Sequence, residues 1–216
     1  MTMNPDARRR QLIFGVSALL LSSHGLAARL APTPVQTAGP FYPLEPPLDD
    51  DNDLTRVRGA AAPAQGRITD LQGRILDLDG RPIRNARVEI WQCDARGRYH
   101  HPHDQGPPPD PGFQGFGHSV TDAEGRYRFR TIRPVPYPGR TPHIHYAVFV
   151  PGQPAFTTQL YVAGEPRNDG DFLYRSIPVE RRGQVLAEFA PARGGRAELA
   201  ARFDLVLGGR GATPAA

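Results

Sequence analysis

From Arg67 onward, apolar and polar positions alternate in short runs separated by turn residues. Ile68 to Asp77 reads as one strand or two, followed by the turn Asp79-Gly80-Arg81-Pro82. Ala86, Val88 and Ile90 alternate with Arg87, Glu89 and Trp91. After the turn Asp122-Ala123-Glu124-Gly125, Tyr127 and Phe129 alternate with Arg126, Arg128 and Arg130. Ile144, Tyr146, Val148 and Val150 alternate with His143, His145, Ala147 and Phe149. Gln159 to Val162 and Arg202 to Leu207 read as further strands. Residues two apart on a strand share a face, so each run has one apolar face and one mixed face. Period two with Gly and Pro punctuation predicts an all-β fold, an antiparallel β-sandwich. Helical periodicity is scarce; only Val185 to Phe189 predicts a helical turn. Long loops are expected at 94–118 and 163–182, and there is no internal repeat.

Outside this pattern the chain changes character. In residues 1–28, Arg8-Arg9-Arg10 precedes an apolar run from Leu12 to Leu21 and then small residues to Ala27-Ala28. Basic, apolar, small is the layout of an export signal. Arg9-Arg10 followed by Gln11-Leu12-Ile13 resembles the twin-arginine signal, which is read by an export machinery and carries folded proteins. A periplasmic or secreted protein is expected. Residues 29–66, rich in Pro, Ala and Asp, read as an extended amino-terminal arm lying on a body at 67–207. The acidic run Asp49-Asp50-Asp51-Asn52-Asp53 lacks the EF-hand spacing and reads as a solvated loop. Residues 208–216 read as a frayed tail.

Composition narrows the chemistry. All 26 basic residues are arginine, which excludes Schiff-base and P-loop lysine mechanisms. The single cysteine, Cys93, excludes an internal disulfide and a cysteine-based zinc site; its position at a strand end predicts a half-buried or exposed thiol. The net charge of +4 gives no reason to expect a nucleic-acid partner. No apolar run reaches the length of a membrane span, so no stable membrane anchor is expected.

His143 and His145 would share one strand face, side by side, as a metal site requires. Zinc is the first metal that paired histidines suggest, but no familiar zinc pattern surrounds them. His100, His101, His103 and His118 lie in the Pro-rich loop 94–118, where a solvated loop is the simpler reading and a zinc or copper site the other. Tyr99 follows a strand, and Tyr137 stands in Pro136-Tyr137-Pro138-Gly139-Arg140. A phenolate is a hard oxygen donor and favours a hard trivalent ion such as Fe(III).

GRPIRNARVEIWQCDARGRYHH (80–101), TDAEGRYRFRTIRPVPYPGRTPHIHYAVF (121–149), TQLYVAGEP (158–166) and QTAGPFYP (36–43) resemble the intradiol ring-cleavage dioxygenases, the protocatechuate type above all. The resemblance implies a β-sandwich whose long loops form a metal-binding cleft. It implies one non-haem ferric ion per chain, held by Tyr99 and His145 as the equatorial pair and Tyr137 and His143 as the axial pair. It assigns Arg140 to stabilising charge on the substrate, Gln159 to a place beside it, and Phe41 and Tyr42 to the cleft wall. Tyr137 would leave the iron as it takes a proton. The substrates would be O2 and a catechol-type aromatic, cleaved between its two hydroxylated carbons to a muconate-type diacid. Homo-oligomerisation is left open. Residues 73–88 also resemble noncatalytic transthyretin-like modules, but such a module has no use for two tyrosines converging with two histidines.

Overall fold

The computed structural model describes residues 29–208, apart from 46 and 48; the expected export segment at 1–28 and residues 209–216 of the tail lie outside the described residues. Two five-stranded sheets pack face to face. The first holds β1 (Ile68–Leu76), β4 (Arg126–Ile132), β8 (Phe189–Pro191), β9 (Leu199–Arg202) and β10 (Leu205–Val206). The second runs in the order β3 (Phe116–Val120), β2 (Arg87–Trp91), β5 (His143–Phe149), β6 (Phe156–Val162) and β7 (Leu186–Ala187). Alternation puts Leu71, Ile75, Tyr127 and Phe129 of one sheet against Val88, Ile90, Ile144, Tyr146, Val148 and Leu160 of the other, forming the principal core.

Most ladders are antiparallel, but β1 pairs in parallel with β9 and β10, and β6 with β7, so both sheets are mixed. The expected helical turn at 185–189 is instead strand: Leu186 pairs with Tyr161, and β8 begins at Phe189. A 3-10 helix occupies Val179–Val185 just before it. Loop 163–182 contains a 3-10 helix at Pro166–Gly170 and one helical turn, α1, at Phe172–Arg175. Loop 94–118 is less exposed than expected. Asp94, Asp110 and Phe113 are buried, and its end is β3, which pairs with β2.

The acidic run is a seam, not a free loop. His118 N–H donates to the Asp50 carbonyl at 2.9 Å, and Arg130 N–H to the Asn52 carbonyl at 2.7 Å. It therefore satisfies exposed edge groups of β3 and β4 together, which closes one side of the sandwich. The arm behaves similarly along β6: Gln36 N–H donates to the Thr157 carbonyl and Thr157 Oγ1 returns a bond to the Gln36 carbonyl. Among the described residues no helix is long and apolar enough to cross a membrane.

Candidate active site

The outer face of the second sheet carries the polar chemistry. Register sets Trp91 beside His145, His145 beside Gln159, and His143 beside Tyr161. Because Ile144 and Tyr146 point into the core, His143 and His145 point outward together. The arm lies over them, so each is only 1% exposed. Gly39 of the arm passes close to His145: a Cβ there would meet His145 Cε1 at 3.2 Å, on a backbone with φ of 74°.

His143 Nδ1 lies 2.6 Å from the Thr141 carbonyl. That oxygen only accepts, so Nδ1 carries the hydrogen and Nε2 presents a lone pair. This Nε2 stands 3.1 Å from the Nε2 of His145. Burial, reinforced by the charge of Arg140, pulls His143 down to about 3. Burial and the neighbouring His143 hold His145 well below the usual range. Both rings are neutral, as ligands must be. Trp91 stacks flat on His145, with centroids 5.0 Å apart and planes at 6°.

Tyr99 is fixed by its loop. The Asp94 carboxylate accepts from the N–H groups of Arg96 and Arg98 at 2.8 and 2.9 Å and from that of Asp110 at 2.8 Å. Tyr99 N–H donates to Asp104 at 2.6 Å. Its hydroxyl is buried and has no hydrogen-bond partner. Tyr137 begins a tight turn with Pro138 second and Gly139, at φ 80°, third; Arg140 N–H closes it on the Tyr137 carbonyl at 2.9 Å. This is the type II pattern, which needs a positive φ at its third residue. The turn returns Arg140 beside Tyr137, with Nη1 3.4 Å from the phenol oxygen.

The four rings form a closed cluster. Centroids are 5.4 Å apart for Tyr99 and Tyr137, 5.4 Å for Tyr137 and His143, 4.7 Å for His143 and His145, and 6.3 Å for Tyr99 and His145. A cleft of about 280 Å³ opens beside it, walled by Pro136, Tyr137, Arg140, Thr141 and Asp171. Two larger hollows, of about 670 and 610 Å³, lie elsewhere and contain none of these rings. Burial pushes both phenols up, Tyr99 well above its ordinary value, while the neighbouring Arg140 charge pulls against that rise at Tyr137. Two neutral imidazoles and two phenols, one of them buried and unpartnered, fit a hard trivalent metal ion.

The other predicted residues divide. Arg140 is held by Asp171 at 2.8 Å and by Gln159 Oε1 at 2.6 Å. Gln159 also donates to the Thr37 carbonyl of the arm at 3.1 Å, so it stands beside the site with its amide engaged. Phe41 stacks on Tyr99 at 4.5 Å and meets Tyr137 edge-on at 6.1 Å. Tyr42 turns away: its hydroxyl donates to Glu89 at 2.7 Å and its ring packs on Trp91. It anchors the arm and does not reach the cleft. Cys93, expected at least half exposed, is 1% exposed, with Sγ 3.6 Å from the Val135 carbonyl. His100 contacts the Asp110 carbonyl at 3.0 Å and His118 the Asp50 carbonyl at 2.6 Å. Among the described residues no three His, Cys, Asp or Glu side chains gather as donors. Sequence reasoning missed Trp91, Thr141 and Asp171. Of these only Asp171, an N-cap residue before Phe172-Leu173-Tyr174, left a local signal.

A beta-sandwich bearing paired phenols and imidazoles under an arm presents a candidate set of metal donors, and comparison with known proteins narrows the class. The family described as Dioxygenase matches residues 37–209. The protocatechuate 3,4-dioxygenase beta chain of Burkholderia cepacia is 40% identical over 195 residues, covering 81% of this chain and 79% of that one. The hydroxyquinol 1,2-dioxygenase of Corynebacterium glutamicum is 32% identical, covering 78% of this chain; the chain spans 61% of its length. Among solved structures, the dioxygenase domain of a dioxygenase–carbohydrate-binding fusion from a cellulolytic Streptomyces superposes with a TM-score of 0.62 at 32% identity, covering 82% of this chain and 99% of that one. The chain belongs to the intradiol ring-cleavage dioxygenase family, oxidoreductases that cleave catechol-type rings with O2. The family implies non-haem iron.

Proposed function

We propose that this chain is an exported intradiol dioxygenase in which Tyr99, Tyr137, His143 and His145 hold one ferric ion. The observation that carries the reading is the convergence of these four rings, two neutral imidazoles facing two phenols at 4.7 to 6.3 Å. Its substrate is a catechol-type aromatic, opened between the two hydroxylated carbons to a muconate-type diacid. When bound, the ferric ion supplies Lewis-acid polarisation and the one-electron chemistry that lets a catechol react with O2.

The remaining roles belong to the chain. Tyr99 is buried and unpartnered, so it serves as a permanent anionic donor. Tyr137 is half-buried beside the cleft, with Arg140 at 3.4 Å from its oxygen. That position suits a base which accepts a catechol proton and swings toward Arg140. The Arg140 guanidinium, fixed by Asp171 and Gln159, faces charge developing on the ring. Phe41, stacked on Tyr99, is supplied by the chain's own arm and lines the small hollow beside Tyr99 and Trp91, not the cleft beside Tyr137. The resident iron should make the purified protein red-brown. Metal analysis with a visible spectrum tests the ligand set; a colourless protein containing zinc or copper would overturn it.

A further inference from the structure

Asp171 joins the helix after β6 to the site. It is 2% exposed, and its side chain is fully enclosed. The two carboxylate oxygens face different partners. Oδ1 accepts from the N–H groups of Leu173 and Tyr174, at 3.0 and 2.9 Å, and so caps α1. Oδ2 accepts from Arg140 Nε at 2.8 Å and from Thr141 N–H at 3.0 Å. The carbonyl of the same Thr141 receives His143 Nδ1 at 2.6 Å, and its hydroxyl donates to Asn168 at 2.8 Å. One carboxylate oxygen therefore fixes both the guanidinium and the strand entry that orients the first histidine.

Arg140 has few other restraints. Gln159 Oε1 takes Nη2 at 2.6 Å, and the exposed Phe172 ring lies 5.6 Å beneath the guanidinium carbon. Without Asp171, Nε would have no acceptor inside a largely enclosed site, and a flexible arginine would sample other rotamers. The Asp171–Arg140 pair is a buried ion pair, of the kind that fixes geometry more than it adds stability.

We infer that Asp171 is the positioning residue for Arg140: it acts on turnover by aiming the guanidinium at the cleft, not by touching substrate. This rests on the reading of the site as an intradiol centre, in which Arg140 faces the substrate.

The test is a double-mutant cycle on the iron-loaded enzyme. Asp171→Asn keeps a cap oxygen for Leu173 and Tyr174 but sets an NH2 group against two donors, Arg140 Nε and Thr141 N–H. Asp171→Ser keeps a capping group too short to pair with Arg140, and stands in if the first variant folds poorly. In the Arg140 background either change lowers kcat/KM for a catechol by about 10- to 100-fold, the usual loss for an outer partner of a site, while iron content stays stoichiometric. In an Arg140→Ala background the same change costs clearly less, because the guanidinium it positions is gone and only the Thr141 contact remains to be lost. Equal losses in both backgrounds would mean a merely structural carboxylate and would overturn the inference. So would wild-type kcat/KM in both Asp171 variants. A wild-type enzyme that holds no iron and consumes no O2 with any catechol would defeat the site reading itself, and this inference with it.

Discussion

Tyr99 and Tyr137 bring their rings to 5.4 Å at an angle of 86°, yet their surroundings differ. Tyr99 is enclosed with an unpartnered hydroxyl, whereas Tyr137 borders the cleft and shares its oxygen with Arg140. Tyr99→Phe should therefore weaken iron retention by at least about tenfold, the loss that even an outer-shell change causes, and alter the colour with or without substrate. Tyr137→Phe should keep much of its iron and bind catechol slowly. Its anaerobic substrate complex should approach the wild-type spectrum, because on this reading Tyr137 would no longer be a ligand there. Visible spectra of both variants decide it; identical behaviour would refute distinct roles.

The histidines divide as sharply. His143→Ala and His145→Ala each remove one of four donors and should abolish stoichiometric iron. His100→Ala and His118→Ala remove rings that meet only backbone carbonyls near their loops, along with Asp50 for His118, and should retain it. Metal analysis of the four purified variants is the check. Iron lost from either loop variant would mean that the ligand set is wrong.

Cys93 gives a pH dependence with a definite sign. Burial, then the charge of Asp94, pushes its thiol up to about 12 from an ordinary 9.0. The unfolded thiol ionises near its ordinary value while the folded one stays protonated. The stability it confers is complete below pH 9 and is lost as pH rises toward 12. The slope is about 1.4 kcal/mol per pH unit. Cys93→Ser should flatten this decline while keeping iron and turnover. Urea unfolding of both proteins at pH 8 and pH 10 measures it; parallel declines would contradict it.

Much of the sandwich was legible because β1, β2, β4 and β5 alternate cleanly. β3 was not: Gly117, His118 and Ser119 carry no apolar period, and only pairing with β2 makes them a strand. The parallel partners of β1 depend on residues more than a hundred positions away, which local pattern does not report. The paired histidines followed from period two alone, whereas the tyrosines, noted as hard donors, joined them as one ligand set only through resemblance. Asp171 escaped notice because its partner Arg140 lies 31 residues earlier and meets it only in the folded chain. Tyr42 misled because it adjoins Phe41, yet the two lie in a turn that sends one ring to Tyr99 and the other to Trp91 and Glu89.

Export is tested in the cell. Replacing Arg9 and Arg10 with Lys should hold the precursor in the cytoplasm, because a twin-arginine receptor reads that pair. Fractionation and the amino-terminal sequence of the mature protein report it. An unchanged periplasmic protein would remove the assignment.

The most direct measurement is the mass of the product formed from a panel of catechols under isotopically labelled O2. The account predicts a muconate-type diacid carrying both labelled atoms, opened between the hydroxylated carbons. A product carrying one labelled atom or none, or a ring opened beside the hydroxyl pair, would contradict it.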